Sequence, residues 1–163
     1  TEIDNRYRKQ MAHGFVHDEA AASLGGVSGN AGLFANSESL APILQMLING
    51  GKYNGVRLLK RKTIREWSRC QFPENGNHRA AGFDRPRLTE PKLEPGEVFP
   101  YCYGPSASKS SFGHTGFTGT SLFVDNKTGV YAILLTNRVH PTRENGLLYP
   151  IRREFYDTVF SEI

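Results

Sequence analysis

Hydrophobic positions along the chain change period twice. Leu40, Ile43, Leu44, Leu47 and Ile48 recur at helical spacing, the stripe of an amphipathic helix. Pro42 lacks an N–H and fits only within a first turn. Ser39 is therefore the expected N-cap, since a start at Ser37 would set Pro42 deep enough to distort the helix. Gly50-Gly51 supplies the stop. A shorter helix over residues 63–71 puts Ile64, Trp67 and Cys70 on one face, with Pro73 beyond its end. After residue 110 the pattern becomes that of strands. Residues 111–115 lead to 120–125, then the polar turn Asn126-Lys127-Thr128-Gly129, then 130–136, which predicts an antiparallel hairpin. Residues 130–135 are apolar at successive positions, so both faces of that strand should be covered and the strand is expected to be central. A final helix is expected from about Pro150, a residue suited to a first helical position. Ile151, Phe155 and Val159, with Tyr156, Phe160 and Ile163, give it a wide apolar face.

The rest of the chain is less periodic. Residues 1–15 are polar and read as an extended or irregular lead-in. Gly25, Gly26, Gly29 and Gly32 forbid a stable helix where they fall and allow positive φ and close backbone approach. That loop is either a tight structural turn or the border of a ligand site. No Gly-Lys-Ser/Thr follows, so it is not a phosphate loop. Residues 73–111 hold six prolines and read as a functional rim or insertion with short strands at 81–84 and 98–103. The sum is an α/β (α+β) domain: helices and loops first, then an antiparallel meander, then a helix that covers the sheet.

Composition narrows the classes. The 163 residues are one domain's worth. With 38% hydrophobic residues, 17 Gly and 9 Pro, they describe a loop-rich globular domain rather than a coiled coil or a disordered tail. Apolar runs such as 132–135 are too short to span a bilayer. No basic stretch followed by an apolar one opens the chain, so no signal peptide is expected within it. The net charge of +4 is mild. Its one cluster, Arg57, Lys60, Arg61, Lys62 and Arg65, reads as a solvated helix face or a patch for an anionic partner. Aromatic and basic residues do not interleave as in a nucleic-acid module, so no nucleic-acid partner is expected. Cys70 and Cys102 form no CxxC. Cys70 is expected in the core, and a disulfide between the two is left open. His13, His17, His78, His114 and His140 lack metal-ligand spacing, so neither a metal nor another cofactor is expected. His17-Asp18 reads as a turn contact near a site.

The most informative segment is Phe112-Gly113-His114-Thr115-Gly116-Phe117-Thr118-Gly119-Thr120. A strand ends in His-Thr-Gly, and a further Gly follows after two residues. Upstream stand the loop Leu24-Gly25-Gly26-Val27-Ser28-Gly29-Asn30-Ala31-Gly32-Leu33-Phe34 and a helix closed by Gly50-Gly51. Downstream the return strand runs into Leu135-Thr136-Asn137-Arg138-Val139-His140-Pro141. In motif, order and spacing the chain resembles, from about residue 16 to 163, the C-terminal half of serine hydrolases of the penicillin-recognising type. These are the class C β-lactamases, D-alanyl-D-alanine carboxypeptidases and related esterases. It is most like β-lactamase-like domains fused to bacterial glycoside hydrolases.

The resemblance implies that His114-Thr115-Gly116 stands for the family's Lys/His-Ser/Thr-Gly motif and lines one wall of the active site. His114 would bind the substrate carboxylate or relay a proton, Thr115 would contact substrate, and the Phe117 N–H would be half of an oxyanion hole. Gly116 lets the acyl oxygen approach the backbone, and preorganised N–H donors of this kind are worth a few kcal/mol in the transition state. Asn137, Arg138 and Arg143 follow the return strand, where the family places carboxylate-binding groups, and a solvated loop explains them equally well. Asn30 stands where relatives often carry His and is a further substrate-binding candidate.

The family's Ser-x-x-Lys nucleophile and Tyr-x-Asn lie upstream of the glycine-rich loop, where this sequence has neither. Ser106-Ala107-Ser108-Lys109 spells the first pattern, but after Pro105 and just before a strand it does not suit a buried helix. The expectation is therefore part of a hydrolase acting on amide or ester bonds through an acyl-enzyme, inactive alone and with an incomplete sheet. The strand at 130–136 would then have an open edge. Its expected cover is the missing N-terminal half, a second chain or residues 1–15. The alternative is a non-catalytic module that binds cell-wall peptide or glycan, or supports a glycosidase. By resemblance alone the location is periplasm or cell envelope.

Overall fold

The computed structural model describes residues 1–87 and 103–162. In chain order the elements are β1 (Ile3–Asp4), β2 (Gln10–Met11), α1 (Glu19–Ser23), α2 (Ser37–Ile48), β3 (Lys52–Tyr53), β4 (Val56–Arg57), α3 (Arg61–Ser68), a 3-10 turn (Pro73–Asn75), β5 (Phe112–Thr115), β6 (Ser121–Asp125), β7 (Val130–Leu134) and α4 (Leu148–Ser161). The expected α+β layout holds. The main sheet is antiparallel in the order β5-β6-β7, with His114 opposite Leu122 and Phe123 opposite Ala132.

Period-2 alternation along β6 sends its side chains to opposite faces. Phe123 joins Tyr103, Ala132, Tyr156 and Phe160 on the face covered by α4. Val124 and Phe112 join Leu44, Leu47 and Ile64 on the face covered by α2 and α3. The sheet is therefore the middle of three layers. Phe123 and Tyr156 are wholly buried, their rings edge to face at 4.8 Å. Gly113 is required here, because a Cβ would lie 2.1 Å from the Leu122 carbonyl and on the Phe123 ring. On the other side of β5, the Asp84 N–H donates to the Gly113 carbonyl (2.7 Å) and the Gly113 N–H to that of Asp84 (3.1 Å). That bridge is what the structure has in place of the strand expected at 81–84. The expected strand at 98–103 falls mostly outside the described residues, as does Cys102.

Several expectations are corrected. Both faces of β7 are covered, but β6 is the central strand, and among the described residues β7 has no second neighbour. Residues 1–15 do not cover that edge. Their β1–β2 hairpin pairs with itself and reaches the end of the return segment, where the Ile3 N–H donates to the Pro141 carbonyl. Helix α2 starts at Ser37, not after Ser39, with the Asn36 Oδ1 accepting from the Ser39 N–H at 2.8 Å. Pro42 is thus the sixth helical residue. The carbonyl it leaves unbonded belongs to exposed Glu38, while Leu40, Leu44 and Leu47 bury their stripe regardless. Ile43, on the fringe of that stripe, is exposed. Gly50-Gly51 ends the helix as expected: the Gly51 N–H donates to Met46 and the Gly50 N–H to Leu47, a Schellman closure.

Helix α3 ends at Ser68, so Trp67 is exposed on its last turn. Cys70 lies past its end, half-buried and free, donating to the Asn77 carbonyl. Helix α4 buries Leu148, Arg152, Tyr156 and Phe160 and exposes Ile151. Phe155 and Val159 pack against the same core as Tyr156 and Phe160, so the expected face holds except at Ile151, with Ile163 outside the described residues. Ser106–Lys109 is a turn, not a helix.

Candidate active site

The turn after β5 has a one-sided polarity. The Gly119 N–H donates to the Gly116 carbonyl at 3.0 Å, closing a four-residue turn. Arg138, buried, donates from Nε to the Phe117 carbonyl (2.9 Å) and from its backbone N–H to the Thr118 carbonyl (2.8 Å). The Gly119 carbonyl accepts from Thr136 Oγ1 (2.6 Å) and from Nη2 of Arg152 (3.2 Å). All four turn carbonyls are therefore occupied from inside the protein, two of them by guanidinium groups. The N–H groups of Phe117 and Thr118 make no hydrogen bond to the described residues. Gly119 is obligatory, with φ of 123° and the Arg138 backbone nitrogen 2.8 Å from where a Cβ would lie.

This turn borders a cleft of about 570 Å³ lined by His114, Thr115, Gly116, Phe117, Thr118 and Thr120 on one side. The opposite wall is Val16–Glu19, residues 30–33 and Arg143. A second hollow of about 350 Å³ lies against the same His114-Thr115-Gly116 strand end and is lined also by Leu40, Leu122 and Leu135. The bend is thus open to a concavity rather than packed shut.

The far wall is built from paired charges, with Glu2 and His17 buried and Arg143 and Glu19 half-buried. Glu2 is buried and accepts from the Arg143 backbone N–H and guanidinium at 2.8–3.1 Å, and from His17 Nε2 at 2.7 Å. Arg143 also donates to Glu19 Oε1 at 2.8 Å. These bonds from Arg143 pull the Glu2 carboxyl down to about 2 against the opposing effect of burial. The same guanidinium lowers Glu19, and the two carboxylates push Arg143 further up. Asp18 caps α1 by accepting from the Ala21 N–H, which with the Asn30 amide at 3.0 Å holds its carboxyl below the usual range. Arg8 ties this wall together by donating to the carbonyls of Val16, His17 and Asp18. The His17 ring stacks on Phe117 at 5.6 Å, and the Arg138 guanidinium lies over the Phe117 ring, 4.6 Å from its centroid.

Of the residues singled out from sequence, His114, Thr115, Gly116, Phe117, Asn30 and Arg143 come together around the cleft. Asn137 does not: it is exposed and donates to the Thr1 carbonyl at 3.2 Å. Arg138 lies behind the turn, its guanidinium bonded to the carbonyls of Phe117, Arg143 and Asn145. Sequence reasoning did not find Glu2, Glu19, Arg79 or Asp84. None sits in a motif, and Glu2 meets Arg143 across 141 positions.

The fold is that of a β-lactamase. A β-lactamase crystal structure from Mycobacterium bovis superposes with a TM-score of 0.54 at 21% identity, covering 81% of this chain and 46% of that one. The Beta-lactamase family model matches residues 3–156, and the chain belongs to that family of β-lactamase-like serine hydrolases. An N-acetylmuramyl-L-alanine amidase of Bacillus subtilis is 35% identical over 82% of the chain and 28% of its own length. A Salmonella typhi protein described as a D-alanyl-D-alanine carboxypeptidase is 34% identical over 88% of the chain and 31% of its length. The chain thus spans about a third of the curated relatives it matches. No helix among the described residues is long and apolar enough to cross a membrane.

Proposed function

We propose that this chain is the C-terminal wall of the active site in a serine hydrolase that cleaves amide or ester bonds through an acyl-enzyme. The single observation that carries this is the polarity of the Gly116–Gly119 turn. Its carbonyls are tied back by Arg138, Thr136 and Arg152, and its Phe117 N–H is unengaged beside a cleft. As a serine oxygen adds to the acyl carbon, the carbonyl electrons move to oxygen. The Phe117 N–H is held ready for that developing charge, and the guanidinium groups behind the turn polarise it in the favourable sense. The oxyanion then collapses and expels the amine or alcohol. Thr115 and His114 flank the acyl group, while Asn30 and Arg143 line the opposite wall.

In this reading the Ser-x-x-Lys comes from outside these residues, and the chain alone is inactive. The open edge of β7 pairs with the strands that accompany the nucleophile, or with a second chain. The matched relatives are by name an amidase and a carboxypeptidase. They favour an amide of cell-wall peptide as substrate, with a periplasmic or envelope location.

The test uses the full-length protein and a fluorescent penicillin. Phe117→Ala keeps the N–H and removes the ring. Phe117→Pro also removes the N–H, at the second position of a four-residue turn, where proline is well accommodated. Proline should acylate on the order of 100-fold more slowly than alanine, the usual effect of one lost oxyanion donor. Equal rates would remove Phe117 from the oxyanion hole. A folded full-length protein that takes no label would favour the binding module instead.

A further inference from the structure

His114 uses both ring nitrogens. Nδ1 lies 2.7 Å from the carbonyl of Thr115, which can only accept, so Nδ1 carries a proton. Nε2 lies 2.9 Å from Nη2 of Arg79, which can only donate, so Nε2 presents its lone pair. The two bonds together admit one form of the ring, the neutral Nδ1–H tautomer. Arg79 is itself held. Its Nη1 pairs with the Asp84 carboxylate, and its backbone N–H donates to Asn77 Oδ1 at 2.7 Å. Asp84 is fixed by its two-way backbone bridge to Gly113, the residue before His114, and its carbonyl accepts from the Tyr103 hydroxyl at 2.9 Å. The guanidinium is thus aimed at the imidazole by the same sheet edge that carries the imidazole.

We propose that Arg79 is a positioning residue for His114. It holds the ring as the neutral Nδ1–H tautomer with Nε2 as an acceptor, and it supplies the positive charge at this corner of the cleft. His114 then stands in the site as a fixed dipolar wall, neither a proton donor from Nε2 nor a cationic anchor. This departs from the cationic or proton-relaying role that the family resemblance implies for that position. The tautomer stands on the hydrogen bonds alone; the consequence for acylation rests on the proposed hydrolase.

Nitrogen-15 NMR of the His114 ring in the full-length protein reads the tautomer directly. In the native protein Nδ1 should resonate as protonated and Nε2 as unprotonated. Arg79→Met removes the donor and its charge while the Thr115 carbonyl still holds Nδ1–H, so Nε2 should take up a second proton at a higher pH than in the native protein. Arg79→Lys keeps a positively charged donor that cannot accept and should leave Nε2 unprotonated as in the native protein. Penicillin acylation should fall on the order of 10-fold to 100-fold in Arg79→Met, the cost of a misset group in a site, and recover in part in Arg79→Lys. An imidazolium or an Nε2–H tautomer in the native protein would overturn the proposal, as would an Nε2 that protonates at the same pH in Arg79→Met as in the native protein. If Nε2 responds as expected while native protein takes no label, the hydrolase reading fails and the positioning role stands.

Discussion

The two walls of the cleft are held by opposite means. The His114–Phe117 wall stands on a sheet whose two faces bury Phe123, Tyr156 and Phe160 on one side and Leu44, Phe112 and Val124 on the other. Its elements are neighbours in sequence, joined by short turns. The facing wall has almost no apolar core of its own. Glu2, His17, Glu19 and Arg143 hold it by charge-assisted hydrogen bonds, helped by Asp4, whose carboxylate accepts from the backbone N–H groups of Arg6, Tyr7 and Arg8 at 2.9 Å each. One wall is stabilised by burial, which resists pH and salt; the other by ion pairing that depends on every partner keeping its protonation state. The comparison teaches where the cleft can open without the domain unfolding.

The largest effect should come from the sheet. Phe123→Ala removes a ring buried between Tyr103 and Tyr156 and leaves a cavity that a β-strand fixed on both sides cannot close. The expected cost is about 4 kcal/mol of global stability, read from the midpoint of denaturant unfolding. Amide protection should fall together in both walls, since nothing remains to support either. A loss confined to one wall would contradict the layered core described above.

Glu2→Ala comes next, at about 3 kcal/mol, because it leaves the buried His17 imidazole without its carboxylate and the half-buried Arg143 guanidinium with Glu19 alone. Its signature should be local. Hydrogen exchange should accelerate over residues 1–19 and around Arg143, while β6 keeps its protection. Acid should act in the same direction. The folded Glu2 carboxyl titrates at about 2, below its ordinary value of 4.5, so the unfolded chain binds more protons in between. The stabilisation is complete above about pH 4.5 and is lost as the pH falls through about 2. Glu19, Asp18 and Asp4 are lowered too and add to the same trend. Protection in the 1–19 wall should therefore fade on acidification before that of β6 does. Parallel loss in both would mean that the ion pairs are not what holds the wall.

This division is also the limit of what the sequence disclosed. The meander β5–β7, helix α2 and helix α4 were legible because burial imposes a period on neighbouring residues, and the His-Thr-Gly motif carried the site's position. Errors arose where a polar group overrode the period. Arg152 is buried in α4 with Nη2 on the Gly119 carbonyl, a charged member of a face read from apolar residues alone, while Ile151 is exposed. Arg138 has the look of an exposed binding residue and instead ties down carbonyls. The β3–β4 hairpin went unforeseen although Asn54-Gly55, both at positive φ, is a strong turn signal; two-residue strands leave no alternation to read. The charged wall has no local signature at all, since Glu2 and Arg143 are joined only by the fold.

The smallest change tests whether the two means of support are cleanly separated. Tyr156 is wholly buried in the sheet wall, yet its hydroxyl donates to Ser121 Oγ at 3.0 Å, a polar link between α4 and β6. Tyr156→Phe keeps the ring contacts with Phe123 and Phe160 and removes that bond, while Ser121 retains a hydroxyl that can rotate toward another acceptor. The expected loss is about 1 kcal/mol, the net worth of one neutral hydrogen bond, with the exchange pattern of the 1–19 wall unchanged. A loss as large as that of Phe123→Ala would mean that the apolar wall, too, depends on a polar keystone, and the contrast between the walls would be one of degree.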